Sequence, residues 1–221
     1  MPPIRKPRAV IFDMDGVLFD SEVLYQEAVQ IAAAEIGVII DPALALRTIG
    51  SSWQASNALF RGELGDDFPV DSLREAWMRH YDSLADKRLE LKPGVRELIA
   101  TLDGMAIPRA IATSSFHKHV SHHLGRHGLT DHFHAVVAQG DYAKAKPAPD
   151  PFLNAAARLG VAPATCLALE DSFNGIRSAS AAGMTTVMVP DLLAPTAEIR
   201  ALCAWVADDL HEVRAMILAT A

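Results

Sequence analysis

A chain of 221 residues, half hydrophobic and 21% charged, is long enough for a sizeable core and has the make-up of an ordinary soluble protein. Its formal net charge of −7 argues against bulk attachment to nucleic acid or an anionic membrane, and no run of about 18 apolar residues is present to span a bilayer. Two distant cysteines, Cys166 and Cys203, give no disulfide framework, and the start MPPIRKPRAV has no apolar stretch of signal-peptide length, so the expected compartment is a reducing cytoplasm.

In chain order, RAVIF (8–12) reads as a short buried strand. From Glu22 to Ile36 the apolar spacing turns helical, with Ser21 placed to cap the helix. Further helical stretches fill 43 to 88: ALALRTI, WQASNALF and DSLREAWMRHYDSLADKR. After LKPG (91–94) strands and helices alternate. The expectation is helix 95–102, strand 107–114, helix 117–127, strand 134–138, helix 150–159, strand 165–170, helix 173–182, strand 185–189, and a last helix over 208–219 after WVADD. Alternation with short apolar strands predicts an α/β fold, a Rossmann-like parallel sheet with helices on both faces and right-handed crossovers. The helical block interrupts that pattern. It predicts an inserted all-helical domain, 21–91, on a core formed by 1–20 and 92–221, joined through FDSE and LKPG.

The chemistry collects at the strand ends, where open α/β sheets bind ligands. The stretch AVIFDMDGVLFDSE places Asp13 and Asp15 directly after the first strand. Residues two apart in extended chain share a side, so both carboxylates can face one pocket while Gly16 permits an immediate turn. Close carboxylates repel, and something positive must compensate. The next strand ends in three hydroxyls, Thr113, Ser114 and Ser115; the loop AKAKPAPD brings Lys144 and Lys146; and LEDSFNG ends the following strand with Glu170 and Asp171. Carboxylates suit Mg²⁺, a hard cation with oxygen ligands, whereas hydroxyl and lysine suit phosphate oxygens.

This order of motifs resembles the haloacid dehalogenase-like superfamily across nearly the whole chain: DMDGVLFDSE, the TSS run, KPAPD and EDSFNGIRSASAAGM. The helical insert after the first motif looks like the cap of the β-phosphoglucomutase and phosphatase branch. The resemblance implies that Asp13 is a nucleophile forming an aspartyl-phosphate, and that Asp15 is the general acid and then the base. It implies Mg²⁺ held by Asp13, Asp15 (through its carbonyl) and Asp171, with Glu170 in support. Thr113, the Ser114 N–H and Lys146 would hold the phosphoryl group; Thr113 and Ser114 compete for the side-chain role, as Lys144 competes with Lys146. The expected substrate is a small phosphorylated metabolite such as a sugar phosphate.

Departures within the resemblance narrow the activity. A halide leaves without a proton, so a protonatable Asp15 favours an ester over a halide. Positions 22 to 37 hold no lysine for the Schiff base of the phosphonate-cleaving relatives. Tyr25 stands where sugar-phosphate mutases carry a histidine, and Trp53 falls where they use an arginine, which favours a phosphatase over a mutase. A phospho-ligand-binding protein without turnover is the reading outside enzymes, and the intact Asp13 and Asp15 speak against it. Tyr25, Arg47, Ser52, Trp53, Asn57 and Arg61 are the polar or aromatic cap candidates for the substrate. Trp77, Tyr81 and Leu84 read as cap core.

Seven of the nine histidines fall in HKHVSHHLGRHGLTDHFH. His119, His122 and His123 share a helical face at metal-ligating spacing, but no Cys or carboxylate cluster joins them, so the expectation is a polar outer face. His117 is expected near the rim of the site.

Overall fold

The computed structural model describes residues 6–220. Six parallel strands form one sheet: β1 (Ala9–Phe12), β2 (Arg109–Phe116), β3 (Ala135–Gln139), β4 (Cys166–Glu170), β5 (Thr185–Met188) and β6 (Trp205–Val206), in the order β3-β2-β1-β4-β5-β6. The first strand is therefore central, hydrogen-bonded to β2 on one side and β4 on the other. Every residue of β1 and of β4 is buried, which requires cover on both faces of the sheet.

The two faces differ in side-chain size. Ala9, Ile11, Ala110, Ala112 and Ala168 line one face, where Phe152 and Ala155 of α7 (Asp150–Arg158) and Ala179 of α8 (Phe173–Ala181) complete a core. Alanines on the strands let α7 approach closely, and the Phe152 ring fills the space they leave. Val10, Phe12, Ile111, Leu167 and Leu169 alternate onto the opposite face and are equally buried. Helices α5 (Val95–Gly104), α6 (His117–Arg126) and α10 (Leu210–Leu218) complete the long helices of this unit. A short helix, α9 (Ala197–Leu202), was not expected from the sequence. It is under two turns long, with Thr196 capping Ile199 N–H, and only Ile199 is buried in it, so it carries almost no apolar periodicity.

The chain divides into two compact units, one combining the residues up to Phe19 with Leu91 onward, the other running from Asp20 to Glu90. The second is helical: α1 (Glu22–Glu35), α2 (Pro42–Leu46), α3 (Trp53–Leu64) and α4 (Val70–Arg88). Its centre is aromatic. The Tyr25 and Tyr81 rings stack 3.7 Å apart, Trp77 stands edge-on to Tyr25 and to Phe60, and the Trp77 indole N–H donates to the Tyr25 carbonyl. Ion pairs of Glu35 with Arg79 and of Glu27 with Arg88 tie α1 to α4 on the surface, where such pairs add little stability.

Two local expectations change. Ser21 precedes α1 but sits in the right-handed helical region and makes no capping bond through its side chain, so the helix starts without an N-cap hydroxyl. The histidine face of α6 is not wholly outside: His123 is buried, its ring against Phe19 at 5.6 Å and beside His119 and His122. Imidazole is flat enough to pack as an aromatic, which the helical spacing alone does not reveal.

Gly62 lies on the exposed side of α3 with no neighbour within 4 Å of a Cβ placed there. Gly62→Ala is expected to stabilise the helical unit by up to about 1 kcal/mol through helix propensity alone, readable as a higher melting temperature by circular dichroism.

Candidate active site

Asp13 is the first residue beyond β1. Its N–H donates to the Leu169 carbonyl at 2.9 Å, so the β1–β4 ladder carries it one step past the strand. The chain then turns at Gly16, whose φ is +77°, and a Cβ there would collide with the Asp171 carboxylate. The glycine thus serves two needs, a left-handed turn and a close approach of the first loop to the end of β4.

β2 reaches further than β1. Its last pairing with β1 is Ile111 with Phe12, yet it continues to Phe116. Its register against β3 breaks between Ala112 and Phe116, so Thr113, Ser114 and Ser115 leave the regular ladder. An irregularity of this kind re-aims side chains at a sheet edge. Thr113 is buried, and its Oγ1 accepts from the Ser115 N–H at 3.0 Å while its carbonyl accepts from the Tyr142 hydroxyl. The Ser114 Oγ is buried with no hydrogen-bond partner among the described residues. Ser115, one of three hydroxyls at this strand end and the one with no role implied by the motif pattern, donates from Oγ to Asp15 Oδ2 at 2.7 Å. Strand alternation put Thr113 and Ser115 on one side, but the Asp15 partner of Ser115 lies 100 residues away in the chain.

Lys146 is the hub. Its side chain is 1% exposed, and Nζ contacts Asp13 Oδ1 at 2.5 Å and Glu170 Oε1 at 2.6 Å. The Phe152 ring lies 5.1 Å from the ammonium. Lys144 takes no such position; its N–H donates to Asp150, holding the loop that leads into α7. The other oxygen of Glu170, Oε2, accepts from both the N–H and the hydroxyl of Ser172. Ser172 Oγ in turn accepts from Gly175 N–H as the N-cap of α8. Burial works to neutralise Lys146, but Asp13 and Glu170 outweigh it and hold the ammonium charged. Burial pushes the Asp13 carboxyl up, with Lys146 opposing the push and Glu170 and Asp15 adding to it.

Asp13, Glu170 and Asp171 each offer an oxygen within 4.8 Å of the others, the one such cluster of His, Cys, Asp or Glu among the described residues. All three are buried. Three carboxylates share this cluster with one ammonium, an excess of negative charge that a divalent cation would balance. The donors are all hard oxygens, as Mg²⁺ requires. Within the cluster Glu170 is the least available, because Lys146 and Ser172 already engage both of its oxygens. The Asp15 side chain lies outside the cluster and is bound to Ser115 instead.

Around this centre, Asp141 fixes the loop that bears Lys146. Its Oδ2 accepts from the Ala138 N–H, His117 Nε2 and Arg158, while its carbonyl accepts from Asn154. Burial would raise the Asp141 carboxyl, but these bonds outweigh it and hold it down, at about 2. His117 is therefore tethered to Asp141, with its side chain 54% exposed. In the helical unit, Tyr25 belongs to the aromatic stack and Trp53 lies under the Arg74 guanidinium at 4.9 Å. Ser52 caps α3, Arg47 pairs with Glu63, and Arg61 bonds to Asn57 and to the Asp66 carbonyl.

A Cβ at Gly175 would overlap the Glu170 carboxylate. Gly175→Ala is expected to cost about 1–3 kcal/mol, seen as a lower urea midpoint, because neither the fully buried Glu170 nor the helix start can yield freely.

A family model described as haloacid dehalogenase-like hydrolase matches residues 7–183. Hexitol phosphatase B of Escherichia coli (strain K12) is 34% identical over 197 residues, covering 84% of this chain and 85% of that protein. Beta-phosphoglucomutase of Bacillus subtilis (strain 168) is 35% identical over 189 residues, covering 82% and 83%. Among solved structures, CbbY from Rhodobacter sphaeroides in complex with phosphate superposes with a TM-score of 0.80 at 27% identity, covering 94% of this chain and 96% of that one. With a matching family model over most of its length and relatives more than 30% identical, this chain is an enzyme and belongs to the haloacid dehalogenase-like hydrolase family.

Proposed function

We propose that the protein is a Mg²⁺-dependent phosphatase that hydrolyses a small phosphate monoester, a sugar phosphate or similar metabolite, through an aspartyl-phosphate on Asp13. The observation that carries this reading is the unequal anchoring of two carboxylates. Asp13 is buried against Lys146 at 2.5 Å within the acidic cluster, whereas Asp15 is held by a neutral hydroxyl outside it. Two carboxylates in contrasting surroundings are what a nucleophile and an acid/base partner need.

In the first half of the cycle an Asp13 oxygen attacks phosphorus while Asp15 gives a proton to the departing ester oxygen. In the second half Asp15 takes a proton from water as it attacks the aspartyl-phosphate, which releases phosphate and restores both groups. Thr113 and the Ser114 backbone N–H would hold phosphoryl oxygens, and Lys146 would offset charge on the phosphoryl group and Asp13 together. Asp13, Asp171 and the Asp15 carbonyl would hold Mg²⁺, with Glu170 supporting them through Lys146; the ion when bound supplies charge neutralisation at the phosphoryl oxygens. The helical unit, 21–91, would act as the cap that selects the substrate, with Tyr25 and Trp53 as its aromatic candidates. The named activity of hexitol phosphatase B supports a sugar-phosphate-like substrate. The beta-phosphoglucomutase relative favours a second reading, a sugar-phosphate mutase, against which Tyr25 and Trp53 stand in place of the mutase histidine and arginine.

Inorganic phosphate release from a panel of hexose, hexitol, pentulose and glycerol phosphates, phosphoglycolate and nucleotides tests the reading. Release is expected with Mg²⁺, to be lost on chelation by EDTA, and to return when Mg²⁺ is restored. Isomerised sugar phosphate without free phosphate would select the mutase reading instead. Asp13→Asn is expected to bring turnover to background. Asp15→Asn is expected to slow both formation and hydrolysis of the phosphoenzyme by about 10²–10⁴-fold in single-turnover measurements, since one group serves both steps.

A further inference from the structure

We propose that Ser115 is a positioning residue for Asp15, fixing the carboxyl that exchanges protons with the ester oxygen and with water. The inference rests on the acid/base reading of Asp15 given above. Ser115 is itself well held. Its N–H is fixed to Thr113 Oγ1, and it sits in the segment of β2 that has left the regular ladder. Its Oγ reaches Asp15 Oδ2 at 2.7 Å, a short bond that spans the gap between the first and second strand ends.

The chemistry of a hydroxyl suits this place better than that of a cation. A lysine can only donate, so it favours the carboxylate and opposes its protonated form. A serine hydroxyl donates to a carboxylate and accepts from a carboxylic acid. The Ser115–Asp15 bond therefore survives both protonation states through which Asp15 must pass. Asp13, which needs charge compensation and no proton, meets the ammonium of Lys146; Asp15, which must gain and lose a proton, meets a neutral hydroxyl in Ser115. Engaging one carboxyl oxygen also restricts rotation of the group, so that the proton-carrying oxygen is presented in one orientation. Loss of such an orienting contact misplaces a reacting group, and a displacement near 1 Å can cost about 10²-fold in rate.

The test uses the dependence of rate on the leaving group. An alkyl phosphate needs its departing oxygen protonated; 4-nitrophenyl phosphate expels a stable phenolate and does not. For the full-length protein with Mg²⁺, Ser115→Ala is expected to lower kcat/KM for an alkyl ester such as a glycerol or hexitol phosphate by about 10–100-fold. It should leave kcat/KM for 4-nitrophenyl phosphate essentially unchanged. Ser115→Thr, which keeps the hydroxyl, is expected to restore the alkyl-ester rate. Equal losses on both esters, or none on either, would overturn the proposal. Should Ser115→Ala melt below the assay temperature, Ser115→Cys, of similar shape but a weaker donor, takes its place and should show the same selective loss in smaller degree. Asp15→Ala in parallel separates the two layers of the argument. A selective alkyl-ester loss in Asp15→Ala without one in the Ser115 variants rejects the positioning role alone. No selectivity in Asp15→Ala rejects the acid/base reading beneath it.

Discussion

Lys146 reaches from the loop after β3 to touch carboxylates at the ends of β1 and β4, and the arrangement of the site follows from that contact. A buried ammonium is tolerable only when paired, and here it has two partners at 2.5 and 2.6 Å with an aromatic face beside it. Three strand ends are thereby held to one point. Removing one partner from such a group typically costs about 3–5 kcal/mol, because the remaining charge is left buried. Two carboxylates drawn to one lysine also leave negative charge to spare, and Asp171 adds to it. A divalent cation is the natural complement of that excess, so the same contact that shapes the site is consistent with the metal dependence proposed for it.

Close approach is the second condition, and small residues provide it. Gly16 lets the first loop pass against the Asp171 carboxylate, and Gly175 lets α8 begin directly over Glu170. On one face of the sheet the alanines of β1, β2 and β4 admit Phe152 and so bring α7, with the loop ahead of it, close to the strand ends. Asp141 then ties that loop to His117, Arg158 and Asn154. Asp141 lies five residues before Lys146, and Tyr142 braces the Thr113 carbonyl from the same loop. The lysine and the hydroxyl-bearing strand end are held in register by a shared set of bonds outside the acidic cluster.

The helical unit is built on a different principle. Its interior is an aromatic cluster in which Tyr25 and Tyr81 stack and Trp77 stands edge-on to Tyr25 and Phe60. Most polar side chains that composition alone put forward for substrate contact have partners inside the unit: Ser52 as a cap, Arg47 with Glu63, Arg61 with Asn57. Tyr25 is half-buried and is a packing residue as well as a candidate contact.

Local pattern was sufficient for the order of the first five strands and the longer helices, the parallel sheet, and the placing of Asp13, Asp15, Thr113 and Glu170–Asp171 at strand ends, though not for α9 or β6, because periodicity and turn residues act over a few neighbours and these two elements are too short to show a period. It was sufficient, too, for the family likeness, which needs only residue types in order. The KPAPD motif already favoured Lys146 over Lys144; tertiary structure alone decided that Lys146 bridges Asp13 and Glu170, that both oxygens of Glu170 are engaged, that Ser115 holds Asp15, and that His123 is buried against Phe19. Each of these joins residues from 24 to 133 positions apart, or turns on which face a helix presents to its neighbours, except the bond of Glu170 to Ser172 two residues on. Such contacts arise from the packing of whole elements, and no short window of sequence contains both of their ends.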